Sequence, residues 1–138
     1  MIKDFEVLEH TADVGIIAYG RNISQAFANA GKGLFYLITD LDSVIANTHR
    51  DIELTAADKE ELMVDWLNDL IYLFDTDSLI FNRFDVRVTA STKLKATVYG
   101  ERVDKSRHRL KTGIKAATYH MLKVERDDQY RVQVLFDI

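Results

Sequence analysis

The spacing of apolar positions changes along this chain, and the changes divide it into elements. Residues 2–9 alternate around Phe5 and Val7, and residues 14–19 are rich in β-formers. Two short strands are therefore expected, one on each side of an acidic motif at Asp13. After Asn22 the spacing becomes three to four. Ile23, Phe27, Ala30, Leu34, Leu37 and Ile38 form one apolar helix face, capped by Asn22 or Ser24. Gly31 and Gly33 weaken that helix and permit close packing on a sheet. Residues 49–55 read as another strand. Asp58 with Glu61 resembles a capping box and starts the strongest helix of the chain. Its buried face is Leu62, Met63, Trp66, Leu67, Leu70, Ile71 and Phe74; Asp65, Asn68, Asp69 and Tyr72 fall on the other side.

From Phe84 onward the period is two. Phe84, Val86 and Val88 alternate with charges, and Leu94, Ala96 and Val98 do so again after a turn near Ser91-Thr92. Gly100 is expected to open a polar loop through His108. Residues 110–125 alternate once more. A helix over 113–121 competes there because Ala116 and Ala117 favour it, and a strand is preferred for at least 118–125. Arg126-Asp127-Asp128-Gln129 turns the chain into a last strand, with Tyr130, Val132, Val134 and Phe136 on one face. Two helices and about seven strands predict an α+β fold. The expected form is a single two-layer domain over residues 1–138, a largely antiparallel or mixed sheet with both helices packed on one face.

Composition narrows the function classes. At 138 residues one domain and one core are expected. The net charge of −4 repels nucleic acid as a whole, so any RNA contact must be local or made through a partner. There is no cysteine, which removes disulfides, thiolate metal sites and Cys nucleophiles. The start, Met1-Ile2-Lys3-Asp4-Phe5-Glu6, has no secretory pattern. No apolar run approaches the ~20 residues that span a bilayer. A cytoplasmic protein without a membrane partner is expected.

The candidate chemistry lies at the two ends. His10-Thr11-Ala12-Asp13-Val14-Gly15 sets an acid before a glycine near the start. Val134-Leu135-Phe136-Asp137-Ile138 sets an acid beside the terminal carboxylate. If the fold joins the ends, three anionic oxygen groups converge, which suits Ca²⁺ or Mg²⁺. The plainer alternative is a turn aspartate and an acidic tail. His10 stands close enough to assist such a site, or is a half-buried structural histidine. Arg102, Lys105, Arg107, Arg109, Lys111 and Lys115 form a local basic stripe for phosphates or an acidic partner, or simply a solvated loop. No P-loop and no H-E-x-x-H motif is present.

A resemblance adds much more. His10-Thr11-Ala12-Asp13-Val14-Gly15 with Ala18 and Gly20 resembles the N-terminal signature of the archease family. Ala26-Phe27, Ala30 and Leu34-Phe35 resemble its first helix. Trp66-Leu67-Asn68-Asp69-Leu70-Ile71-Tyr72 resembles its central helix, with Asp69 where the family carries the longer Glu. Gly100-Glu101, Asp104, His108, Ile114-Lys115-Ala116, Thr118-Tyr119-His120 and Phe136-Asp137-Ile138 resemble its C-terminal half. The resemblance runs in order along nearly the whole chain.

The resemblance implies a non-catalytic protein cofactor of the GTP-dependent RNA-splicing ligase of tRNA splicing. That ligase joins a 3′-phosphate or 2′,3′-cyclic-phosphate end to a 5′-hydroxyl end, and the cofactor promotes its guanylylation and multiple turnover. RNA contact is then indirect, through the ligase. The family's metal site maps onto Asp13, Asp137 and Ile138, the last through its terminal carboxylate. The expected cofactor is a divalent metal, calcium first, with Mg²⁺ or Mn²⁺ as alternatives. His10, Glu101 and Lys115 are the expected partner or nucleotide contacts. Two rivals stand beside this reading: a metal-dependent phosphoester hydrolase using His10, His120 and Glu101, and a general chaperone or modulator of RNA-modifying proteins.

Overall fold

The computed structural model describes residues 3–10 and 13–138, with the backbone alone at His10. Among the described residues the order is β1 (Phe5–His10), β2 (Asp13–Gly20), α1 (Ile23–Ile38), a 3-10 turn (Leu41–Ser43), β3 (Thr48–Thr55) and α2 (Lys59–Asp77). There follow β4 (Leu79–Thr89), β5 (Lys93–Arg102), β6 (Ala116–Ala117), β7 (Lys123–Arg126) and β8 (Tyr130–Asp137). All pairings are antiparallel. The fold is α+β, as the periodicities predict. The strands form two sheets where the sequence suggested one. β8 carries β2 and then β1 on one side, and β6 and β7 on the other; β3-β5-β4 is a separate sheet.

The helices start where the sequence predicts. Asn22 Oδ1 accepts from Gln25 N at 2.8 Å, and Asp58 Oδ1 accepts from Glu61 N at 2.8 Å. Glu61 reaches back one residue beyond the cap, to Ala57 N. α1 packs between the two sheets, and its two glycines explain how. A side chain at Gly31 would press on Phe84 of β4, and one at Gly33 on Ile16 of β2. The two positions look in nearly opposite directions, so each lets a different sheet approach the helix. α2 docks through Trp66, which is fully buried and donates Nε1–H to the Phe27 carbonyl of α1 at 2.9 Å. One continuous core runs through Ile16, Phe27, Phe35, Trp66, Phe81 and Phe136.

Two further expectations are corrected. β5 continues to Arg102, so Gly100 and Glu101 are strand residues and the loop begins after them. Gly100 lies against a register shift between Phe81 and Arg83 on β4. Residues 110–125 are not one strand: 111–115 is a strap, β6 is two residues long, and 118–122 is a turn before β7. The alternation there was produced by anchor residues spaced along an irregular path, with Ile114, Ala117 and Val124 buried.

The β4–β5 turn carries local strain. Ala90 and Ser91 both adopt left-handed backbone, with φ 55° and 59°, and Thr92 N donates to Thr89 O at 3.2 Å. This geometry favours Asn-Gly in place of Ala-Ser. Ser91→Gly should therefore stabilise the protein by about 1 kcal/mol in urea unfolding, offset in part by a freer unfolded chain. A destabilised variant would show that this turn opens at little cost.

Candidate metal and partner site

The two ends of the chain meet at one end of the larger sheet. β2 and β8 pair from Gly20↔Tyr130 to Val14↔Phe136. The next step of that register sets Asp13, the first residue of β2, beside Asp137, the last of β8. On the far side of Asp137 stands β6, with Ala116↔Asp137 paired and Lys115 N donating to the Asp137 carbonyl at 2.8 Å. Strands β2 and β8, and the strap that leads into β6, thus bring Asp13, Asp137 and Lys115 to one edge. Phe136 and Val14 turn to the core, so strand alternation aims the flanking acids the other way.

The electrostatics of this tip are unbalanced. Asp137 is exposed and Ile138 is half-exposed, at 51%. Neither the Asp13 nor the Asp137 carboxylate makes a hydrogen bond or ion pair among the described residues. Carboxylates are the hard-oxygen donors that divalent cations such as Ca²⁺ or Mg²⁺ take. Among the described residues no group of three or more His, Asp or Glu side chains is placed to hold a metal ion. His10 pairs with Asp13 in the β1–β2 hairpin; its side chain, and Thr11 and Ala12, lie outside the described residues.

β6 is held in place by α2. Asn68 Oδ1 accepts from Ala117 N at 2.8 Å. This anchor was missed in the sequence, where Asn68 read as a residue of the solvated face. Beside it, burial holds the Asp69 carboxyl above the ordinary aspartate value of 3.8. Asp65 is raised too, by burial first and then by the charges of Glu61 and Asp69.

Glu101 is not at the tip. It is 4% exposed and ties the strap to the fold. One carboxylate oxygen accepts from Ile45 N at 2.6 Å and from His108 Nε2 at 3.0 Å; the other binds Arg107. His108 Nδ1 accepts from Asp104 N at 2.8 Å, which leaves its proton on Nε2. Burial pushes the Glu101 carboxyl up, but these donors and the Arg107 charge outweigh it and hold it below the ordinary 4.5. A carboxylate so engaged has nothing to offer a partner, and its role is structural.

The basic stripe is half consumed in the same way. Arg107 also reaches the Ser43 carbonyl, and Arg102 the Asp77 carbonyl. Lys111 sits over the Tyr36 ring at 4.2 Å and near Asp40 at 3.7 Å. Residues 109–111 close the end of α1: Thr39 Oγ1 donates to Arg109 O at 2.8 Å, and Lys111 N donates to Ile38 O at 2.8 Å. Lys105, Arg109 and Lys115 have no side-chain partner among the described residues. An open cleft of about 1030 Å³ between the start of α1 and the smaller sheet includes none of the tip residues.

A family model described as the archease protein family (MTH1598/TM1083) matches residues 5–138. The chain belongs to the archease family. A protein archease of Methanosarcina mazei is 38% identical over 141 residues, covering 99% of this chain and 97% of that one. One of Sulfurisphaera tokodaii is 35% identical over 132 residues, covering 95% of each. The solution structure of Methanobacterium thermoautotrophicum protein 1598 superposes with a TM-score of 0.85 at 32% identity, over 99% of this chain and 100% of that one. A Thermotoga maritima crystal structure, described as an archease and possible chaperone, gives 0.60 at 26% identity, over 95% and 94%. The archease assignment read from the sequence is thereby shown, and with it the fold. No helix among the described residues is long and apolar enough to cross a membrane.

Proposed function

We propose that this archease activates the GTP-dependent RNA-splicing ligase as a non-catalytic cytoplasmic protein cofactor, through a tip that holds a divalent metal. The observation that carries the reading is the meeting of Asp13 and Asp137 across β2 and β8, neither carboxylate making a hydrogen bond or ion pair among the described residues. Asp13, Asp137 and the Ile138 carboxylate would hold the ion, with calcium favoured because flexible, all-oxygen ligation suits it. The ion would supply positive charge at an otherwise anionic tip. Lys115, the residue before β6, would place a cation within reach of a phosphate.

Activation requires a difference in affinity between two states of the ligase. A charged tip carried on rigid strands suits that task, since it can favour the state of the ligase whose nucleotide pocket is ordered for guanylylation. RNA is contacted through the ligase, in keeping with the net charge of −4. A chaperone role, the description attached to the Thermotoga protein, is the second reading.

The test is ligase guanylylation with labelled GTP. Adding this protein should raise the yield of covalent ligase–GMP, and the metal-free form should not. Equal yields with and without the protein, from an active ligase, would reject the reading. Suppressed aggregation of unrelated proteins without any effect on the ligase would favour the chaperone.

A further inference from the structure

We propose that the turn at residues 118–122 is a docking knob, whose Tyr119 and Met121 enter an apolar pocket with a basic rim on the ligase. This rests on the ligase reading above and names the part of the surface that holds the partner.

The first observation is the shape of the sheet edge. β6 pairs Ala117 with Phe136, and β7 resumes with Lys123 opposite Gln133. Five residues, 118 to 122, therefore stand against two, 134 and 135, and the excess is extruded. Extra residues of this kind re-aim side chains at functional edges.

The second observation is how firmly the extrusion is held. Thr118 N and Oγ1 both donate to Leu135 O, at 3.0 and 3.1 Å. Leu122 N donates to Tyr119 O at 3.2 Å, and Gln133 Nε2 donates to Met121 O at 2.9 Å. Met121 sits in left-handed backbone with φ 56°, a conformation that L side chains adopt at a cost. A strained, anchored turn then presents Tyr119 at 59% exposure and Met121 at 46%. The edge strand β7 is protected with the exposed charges of Lys123, Glu125 and Arg126, whereas the turn before it shows an aromatic ring and a thioether, the adaptable pair of binding surfaces.

The third observation sets the partner's charge. The Tyr119 phenol is held above its ordinary value by desolvation of its hydroxyl end, then by the carboxylates of Glu61, Asp65 and Asp58. Three carboxylates at the start of α2, the cap Asp58 with Glu61 and Asp65, thus lie within electrostatic reach of the knob. A second copy of this chain would bring the same acids and repel; a basic rim is complementary. Continuity supports the same partner as the tip, because β6 joins the knob to Asp137 and to exposed Ile138.

The experiment is calorimetric binding of purified ligase to calcium-loaded wild type, Tyr119→Ala, Met121→Gly and Asp137→Asn, with Tm measured for each. Tyr119→Ala should weaken binding about tenfold, and Met121→Gly about threefold or more. The Met121→Gly protein should melt no lower than wild type, because glycine accepts that backbone conformation. Wild-type affinity should fall as salt rises. If both knob variants bind like wild type while Asp137→Asn binds weakly, the knob is refuted and the ligase reading stands. If wild type fails to bind an active ligase, both fall. Salt-independent binding would refute the basic rim.

Discussion

Asp137→Asn should remove at least half of the thermal stabilisation by calcium and most of the stimulation of the ligase, while leaving the fold intact. Asp137 is exposed at the end of β8, and its backbone carbonyl, not its side chain, receives the bond from Lys115 N. Loss of the carboxylate therefore breaks no structural contact. In wild type, calcium at 100 times its dissociation constant would add about 2.7 kcal/mol, a rise in Tm of roughly 9 °C for a chain of this length. Loss of one of three anionic ligands should weaken calcium by at least the 10- to 100-fold typical of supporting residues. In chelator the variant should melt no lower than wild type, because one of the clustered negative charges is gone. A variant that keeps the calcium-dependent shift would remove Asp137 from the ligand set. One that melts far lower in chelator would make Asp137 a structural residue.

Glu101→Gln should have the largest effect on stability. The substitution keeps shape but sets an amide N–H₂ among donors: Ile45 N, Arg107 and His108 Nε2. Replacing a buried, charge-assisted acceptor in this way costs about 2–3 kcal/mol, or about 7–10 °C in Tm. The effect depends on pH with a definite sign. The folded-state carboxyl titrates below its ordinary 4.5, so its contribution is complete above that value. It is lost as pH falls through the depressed folded value. The gap between wild type and Glu101→Gln, measured by urea unfolding, should therefore be constant near neutrality and close in acid. A gap that widens in acid, or no destabilisation at neutral pH, would contradict the role given to Glu101. Because the strap it anchors leads directly to Lys115, hydrogen exchange across residues 103–115 should also accelerate.

The sequence made the helices legible because each signal was local. Asn22 and Asp58 cap where a short polar side chain precedes an apolar period of three to four. β2 and β8 were legible from their alternation, and with them the placement of Asp13 and Asp137 at strand ends. Their adjacency was not, because it depends on a pairing across more than a hundred residues that only the register of β2 on β8 supplies. Glu101 is an expected partner contact on the resemblance, and Gly100 is expected to open a loop there. The burial of Glu101 depends on Ile45, Arg107 and His108, which arrive from other parts of the chain. Residues 118–122 were read as strand because no Gly or Asn marks the turn; Met121 takes the left-handed conformation instead. The division into two sheets was hidden for a similar reason. Gly31 and Gly33 signalled close packing, but only the fold shows that each faces a different sheet.

Activation of the ligase can be read directly in multiple-turnover RNA ligation. The cognate ligase would be given GTP, Mn²⁺ and RNA ends bearing 2′,3′-cyclic phosphate and 5′-hydroxyl, with this protein well below the ligase concentration. Each ligase molecule should complete several-fold more turnovers with this protein than without it, and Asp137→Asn should not give that increase. Equal progress curves with and without the protein, from a ligase shown to be active, would contradict activation.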